Sequence, residues 1–389
     1  MKIEADWLTA RSAQKLLEVL QDGEHRTYFV GGCVRNSLLQ VPVTDVDIAT
    51  SLPPEQVMDL ANAAGFKAIP TGIEHGTVTL VVQGETYEVT TFRRDVETDG
   101  RRAVVAFANT IEDDAARRDF TMNALYVDAE GAVFDPTGQG LTDIAARTVR
   151  FIGAPIDRIR EDYLRILRYF RFYAWFGDQA AGFDADTLAD IAEGIDGLEQ
   201  ISNERIGAEV LKLLAAPDPS FALATMSITG ILARILPGAF AESVPIVVAA
   251  EETLGLAPDP LRRLAALGGE NAPEALRMAK ADARKVDLIR AAASEGIGIP
   301  ELGYRLGHRD AMSTVAVRSA LFQEPVAVDA KDQVKKGSGR TFPVTAADLM
   351  ADYNGPALGN RLRTLEKMWI ASDFTLDRDS LLAAPQNPS

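Results

Sequence analysis

The chain has 389 residues, 47% of them hydrophobic and 25% charged, a globular composition that excludes a small cross-linked scaffold and leaves room for two or more compact units. Its single cysteine, Cys33, rules out an intramolecular disulfide and a cysteine-built zinc site, and suits a reducing compartment, the cytoplasm by default. The formal charge of −16 argues against nonspecific binding of duplex nucleic acid, although seven arginines between Arg147 and Arg171 face only Asp157, Glu161 and Asp162. Glu4, Asp6, Arg11, Lys15 and Glu18 interrupt the apolar residues of the first twenty positions, so neither a signal-peptide core nor a membrane span is expected there or elsewhere.

From Arg26 to about Phe151 short β-like runs alternate with helical ones, at residues 27–30, 43–50, 77–82 and 85–92. Gln83-Gly84 predicts a two-residue hairpin turn and Glu130-Gly131 a second hairpin, so the sheet has an antiparallel component. After Arg158 the apolar residues recur at three- and four-residue spacings (Leu164, Leu167, Phe170; Ile206, Val210, Leu214), which predicts an all-helical remainder. The fold class is therefore α+β, an N-terminal head with a mixed or antiparallel sheet followed by helices. Breaks are expected near Pro217-Asp218-Pro219, Pro258-Asp259-Pro260 and Gly337-Ser338-Gly339.

Within the head, Tyr28-Phe29-Val30-Gly31-Gly32-Cys33-Val34-Arg35 reads as a strand that ends in paired glycines and enters a helix over 34–39. Such a turn lets backbone N–H groups approach a phosphate, with Arg35 adding a charged contact, but paired glycines at a strand end also serve simply as a tight turn. Ten residues on, Asp45-Val46-Asp47-Ile48 lies in a run whose alternation predicts both carboxylates on one face. Two acids so placed repel unless a cation sits between them, and hard oxygen ligands of this kind suit Mg²⁺. A lone Asp-x-Asp is most often a solvated strand face; its place just behind the glycine turn favours the metal.

Together, Gly31-Gly32-Cys33-Val34-Arg35 and Asp45-Val46-Asp47 resemble the DNA polymerase β-type nucleotidyltransferases, and more closely their class II branch of CCA-adding tRNA nucleotidyltransferases and poly(A) polymerases. The resemblance implies that Asp45 and Asp47 are catalytic and bind two Mg²⁺ ions, and that Gly32 and Arg35 contact the nucleotide. Asn36 departs from it, standing where the motif usually has aspartate. Glu88, expected on one face with Thr90 and Phe92, is either a third metal carboxylate or a supporting one, with Arg93 as a possible partner. Arg117-Arg118-Asp119-Phe120-Thr121-Met122-Asn123-Ala124 would be a solvated helical patch in isolation; it resembles the family's Arg-Arg-Asp-Phe-Thr-x-Asn-Ala motif, which implies Arg118 on phosphate with Asp119 and Asn123 near the ribose. Residues 134–143 are similar to the family's head-to-neck hinge, with Gln139 spacing the glycines differently.

Residues 160–171 read as one helix on which Asp162, Arg165, Arg168 and Arg171 step by three along a polar face. Alone, that is a surface salt-bridge ladder. The run resembles the family's Glu-Asp-x-x-Arg-x-x-Arg motif, which implies that Asp162 and Arg165 read the edge of cytosine or adenine while Arg168 and Arg171 steady the site. Residues 201–205 and 211–214 resemble the last shared neck motif. The implied organisation is a catalytic head over 1–150, a helical neck with the nucleotide-selecting helix over 151–216, and a body and tail over 217–389 that bind tRNA. The implied reaction is template-independent addition of C, C and A from CTP and ATP to the 3′ end of tRNA, with release of pyrophosphate. Poly(A) addition, CC-only or A-only addition, and a non-catalytic RNA-binding protein on the same scaffold stay open.

Overall fold

The computed structural model describes residues 1–21, 25–98 and 103–385. The chain forms two compact units, Met1–Val210 and Leu211–Ser389. The first carries a seven-stranded mixed sheet built from β1 (Thr27–Val30), β2 (Asp47–Thr50), β3 (Lys67–Gly72), β4 (Thr77–Val82), β5 (Glu85–Thr91), β8 (Tyr126–Val127) and β9 (Val133–Phe134). Their order is β3-β4-β5-β2-β1-β8-β9, while β6 (Arg93–Thr98) and β7 (Ala103–Phe107) pair separately. Among the described strands only β2 and β5 run parallel. Alternation along β4 turns Val78, Leu80 and Val82 fully inward. The Arg11–Leu20 helix buries Leu16, Leu17 and Leu20 on the face it presents to the sheet.

The expected runs at 27–30 and 77–82 are strands over their full length, and the run at 85–92 ends at Thr91. The run at 43–50 is a strand only from Asp47. The reason lies in its neighbour: β1 ends at Val30, paired with Asp47, and turns away at Gly31, so residues 43–46 have no β1 partner. β3 was not foreseen, because none of its residues is buried and Pro70 interrupts it, which suits an edge strand without an apolar rhythm. Gln83 and Gly84, both at positive φ, form the expected two-residue turn between β4 and β5. At the second hairpin the Asp128 carboxylate accepts the backbone N–H groups of Glu130 (3.0 Å) and Ala132 (2.8 Å), which shapes a longer loop around Gly131.

The expected single helix over 160–171 is two helices, Pro155–Glu161 and Leu164–Phe176. Asp162 between them is extended (φ −154°, ψ 104°), and its Oδ1 accepts the N–H of Leu164 at 3.1 Å. A short carboxylate that takes a backbone donor in this way competes with the helical ladder. Tyr163 then lies flat on Gly197, where a Cβ would stand 2.0 Å from the ring. Only glycine leaves room for that approach.

The second unit is all-helical, from Ser220–Ile228 to Arg378–Leu382. Asp259, in the expected break, caps the Pro260–Leu267 helix by accepting the N–H groups of Leu261 and Arg262. Glu251, 2% exposed, takes Arg262 on one oxygen (2.7 Å) and Arg263 on the other (3.0 and 2.7 Å). Arg263 also donates to the carbonyls of Leu214, Ala216 and Pro217. No helix of the described residues is long and apolar enough to cross a membrane. Removing one partner of a buried charge network costs about 3–5 kcal/mol, so Glu251→Ala is expected to lower stability by that order, read as a fall in the denaturant midpoint of the full chain; an unchanged midpoint contradicts it.

Candidate active site

The site begins where β1 stops. Gly31 takes φ 73° and ψ −119°, a conformation that side chains with a Cβ rarely adopt, and its carbonyl accepts the N–H of Arg35 at 3.0 Å to start the Gly32–Leu38 helix. The helix folds Arg35 back under the turn, 9% exposed, with its guanidinium carbon 4.2 Å from the centre of the Phe176 ring and 5.1 Å from that of Phe172. Its Nη1 donates to Asn123 Oδ1, while Nε and Nη2 donate to Asn36 Oδ1 at 3.1 and 2.8 Å. Burial first, and then the nearby Arg171, push the Arg35 pKa down to about 10.

Asp47 opens β2 beside Val30 on β1 and directly beside Glu88 on the parallel strand β5. Asp45 lies off the strand, so the alternation expected to align it with Asp47 does not apply; the loop over 43–46 carries it instead. All three acids line one open cavity of about 720 Å³, together with Trp7, Ser12 and Tyr87. Burial raises the Asp47 pKa above the usual carboxylate value, Glu88 and Asp45 add to the rise, and Arg118 and Arg35 offset it in part. Among the described residues Asp45, Asp47 and Glu88 have no ion-pair partner; Asp45 accepts only the hydroxyl of Thr44, at 2.9 Å. Nor do three acid, histidine or cysteine side chains there close into a ready-made cage. Adjacent carboxylates left unneutralised by the protein fit a hard divalent cation of the Mg²⁺ type, which needs few protein ligands when substrate phosphates supply others.

The positive charges that act on Asp47 are those of Arg118 and Arg35. Arg118 donates through Nε (3.1 Å) and Nη2 (2.8 Å) to Asp114, which also holds Arg117 (2.9 Å), the Tyr126 hydroxyl (2.8 Å) and the backbone N–H of Arg93 (3.3 Å). Asp114 is 1% exposed; burial alone would raise its pKa, yet Arg118, Arg117 and Tyr126 hold it well below the usual range. With two nitrogens of Arg118 spent there, the third, Nη1, lies 3.7 Å from where a Cβ on Gly31 would be. Sequence reasoning passed over Asp114; its position four residues before Arg118 on the Ile111–Ala116 helix was the available signal.

Asp119, 7% exposed, accepts on Oδ1 the N–H of Phe120 (2.9 Å) and Asn123 Nδ2 (3.0 Å), and on Oδ2 both Nε (2.7 Å) and Nη2 of Arg168. Arg171 pairs with Glu209 at 2.7 Å and lies 4.6 Å over Phe172. Asp162 pairs with Arg205 at 2.7 Å. Arg165 is ion-paired to Glu161 and donates to the carbonyls of Arg158 (3.0 Å) and Arg117 (3.1 Å). The four residues expected on one face thus each hold a different partner rather than forming a ladder. Arg35, Asn123, Asp119 and Arg168 are joined by hydrogen bonds, Gly32 lies next to Arg35, and Arg35, Arg168 and Arg171 meet Phe172, whereas Asp162 is held by Arg205 and Arg165 by Glu161 and the Arg117 carbonyl. Phe172 and Glu209 were also missed, and Arg205 was marked only as part of the 201–205 segment; Arg205 and Glu209 pair with residues far back along the chain.

Residues 27–150 match the Poly A polymerase head domain, and residues 182–242 match a probable RNA- and SrmB-binding site of polymerase A. CCA tRNA nucleotidyltransferase 1 of Mus musculus mitochondria is 32% identical over 97% of this chain and 90% of its own length. The chain belongs to the CCA-adding tRNA nucleotidyltransferase and poly(A) polymerase family. A bacterial member, the CCA-adding enzyme of Limosilactobacillus fermentum, is 32% identical over 99% of this chain and 98% of its own. The crystal structure of the Bacillus stearothermophilus CCA-adding enzyme in complex with CTP superposes with a TM-score of 0.75, at 30% identity over 93% of both chains. A Thermotoga maritima CCA-adding enzyme complexed with tRNA shares the fold at 18% identity and a TM-score of 0.69. Like the family, this chain is a nucleotidyltransferase with an α+β head and helical remainder.

Asp114→Asn keeps the shape and removes the charge that holds Arg118 against the turn. It is expected to lower kcat/KM for nucleotide by about tenfold or more, the cost of roughly one charged hydrogen bond. Wild-type steady-state kinetics in this variant would contradict the assignment.

Proposed function

We propose that the chain adds C, C and A in succession, from CTP and ATP, to the 3′ end of tRNA without a template. The observation that carries this reading is that Asp47, in register with Glu88 and beside Val30 at the end of β1, lies within the field of Arg118 and Arg35, the two arginines at the Gly31-Gly32 turn. Whole-length similarity to CCA-adding enzymes supports the choice of nucleotide and acceptor. The 3′-oxygen of the acceptor attacks the α-phosphorus, the bond to the bridging oxygen breaks, pyrophosphate leaves, and the hydroxyl proton passes to solvent.

Asp45 and Asp47 would hold two Mg²⁺ ions, which in such chemistry activate the attacking hydroxyl and offset charge on the leaving oxygens. Glu88, in register with Asp47, keeps the negative field concentrated there. Gly31 and Gly32 let the phosphates approach the backbone, and Arg35 and Arg118 meet them with charged donors. Asn123, whose carbonyl approaches the turn, and Asp119, bonded to Asn123, would meet the ribose, and they orient Arg35 and Arg168. Asp162 offers an acceptor and Arg165 a donor, the complement that distinguishes the edges of cytosine and adenine. Arg168 and Arg171, held by Asp119 and Glu209, would steady the site. A reducing, cytoplasmic setting agrees with the lone buried thiol of Cys33.

With Mg²⁺, CTP and ATP, the purified protein is expected to extend tRNA lacking its terminus by C, C and A and then stop. Long A tails made from ATP alone would replace this reading with poly(A) addition. Asp47→Ala is expected to reduce incorporation to background while tRNA retention on a filter persists, and residual turnover near wild type would remove Asp47 from catalysis.

A further inference from the structure

Each of three arginines in the site has its own acid: Arg118 has Asp114, Arg168 has Asp119, and Arg171 has Glu209. Arg35 has none among the described residues. Its acceptors are the side-chain amides of Asn36 and Asn123, and its flat faces meet Phe172 and Phe176. A guanidinium has five N–H donors; three are used in these bonds, and Nη2 lies 3.8 Å from where a Cβ on Gly32 would stand. The cation is thus buried, without an acid in contact among the described residues, and placed against the Gly31-Gly32 turn.

We infer that Asn36 is a positioning residue that holds Arg35 beneath the Gly31-Gly32 turn without neutralising it, so that the full charge of Arg35 is offered to the polyphosphate of the incoming nucleotide. The inference rests on the nucleotidyl-transfer reading for the identity of the anion. The orientation of the Asn36 amide is set from both sides: Oδ1 faces Arg35, and Nδ2 donates to the carbonyl of Pro42 at 2.8 Å. A flipped amide would set Nδ2 against the guanidinium and Oδ1 against a carbonyl. Aspartate, the residue usual in the family's motif, could take Arg35 in a charge-assisted pair but has no donor for Pro42. It would also set a negative charge against Arg35. Asparagine instead ties Arg35 to the loop that leads to Asp45, and contributes no charge.

The distinguishing experiment compares Asn36→Asp with Asn36→Ala, titrating each full-length protein with inorganic pyrophosphate by calorimetry and measuring KM for CTP. Asn36→Asp keeps an acceptor for Arg35 and adds a charge; Asn36→Ala removes the acceptor and the Pro42 tether without adding one. Neutralising Arg35 is expected to weaken pyrophosphate binding about tenfold in Asn36→Asp, the size of one charged hydrogen bond. The loss should be clearly smaller in Asn36→Ala, and in Asn36→Asp it should fall on KM rather than kcat. Equal losses in the two variants would assign Asn36 to the tether alone and overturn the inference, as would wild-type affinity in Asn36→Asp. Wild-type protein that binds pyrophosphate but does not extend tRNA would sink the proposed function, and the charge effect of Asn36→Asp on pyrophosphate would still stand.

Discussion

The carboxylate of Asp119 is the point on which the site is assembled. It is nearly buried and accepts four hydrogen bonds, from the N–H of Phe120, from Asn123 and twice from Arg168. Through Asn123 it reaches Arg35 and hence the Gly31 turn; through Arg168 it reaches the Leu164–Phe176 helix. An isolated ionised carboxylate this deep would be strongly disfavoured, and its pKa falls below the usual value because Arg168 and Asn123 compensate for burial. The Asp119–Asn123 segment and the Leu164–Phe176 helix are therefore held in one register by a charge that cannot be left unpaired. Phe120 adds the apolar counterpart, packing with Phe151 and Phe172 at ring separations of 4.9 and 5.0 Å.

The molecule is acidic as a whole, yet Arg118, Arg168 and Arg171 are each fixed by an acid, while Arg35 has none in contact among the described residues. Fixing matters more than counting here: an arginine whose Nε and one terminal nitrogen are engaged presents the other in a set direction, as Arg118 does towards Gly31. Among the described residues Asp45, Asp47 and Glu88 form no ion pair. Under the proposed function these acids would hold the metal and these arginines the phosphates of one nucleotide.

Short-range features of this arrangement were legible in the residues. Alternation gave away β1 and β4, the glycine pair its turn, and Gln83-Gly84 its hairpin, because each depends on local geometry. Where a partner decides the structure, local patterning failed. Residues 43–46 alternate like a strand but lose the ladder because β1 has already turned away. The polar spacing over 160–171 runs unbroken across Asp162, while the break comes from that residue's own carboxylate and from room made by Gly197, more than thirty residues on. Likewise Asp119 and Arg168, 49 residues apart, and Asp162 and Arg205, 43 apart, carry no sequence signal of their pairing. The family motifs did mark most of these residues, and the structure adds that several act on one another before they can act on a nucleotide.

The direct test of that mutual dependence is a double-mutant cycle on Asp119→Asn and Arg168→Gln, read in the free energy of CTP binding. If the pair organises the site, the two substitutions are strongly non-additive, with a coupling of about 1.5 kcal/mol or more, as close buried charge pairs show. Additivity to within about 0.5 kcal/mol would mean that the two side chains serve the nucleotide independently, and would contradict the account.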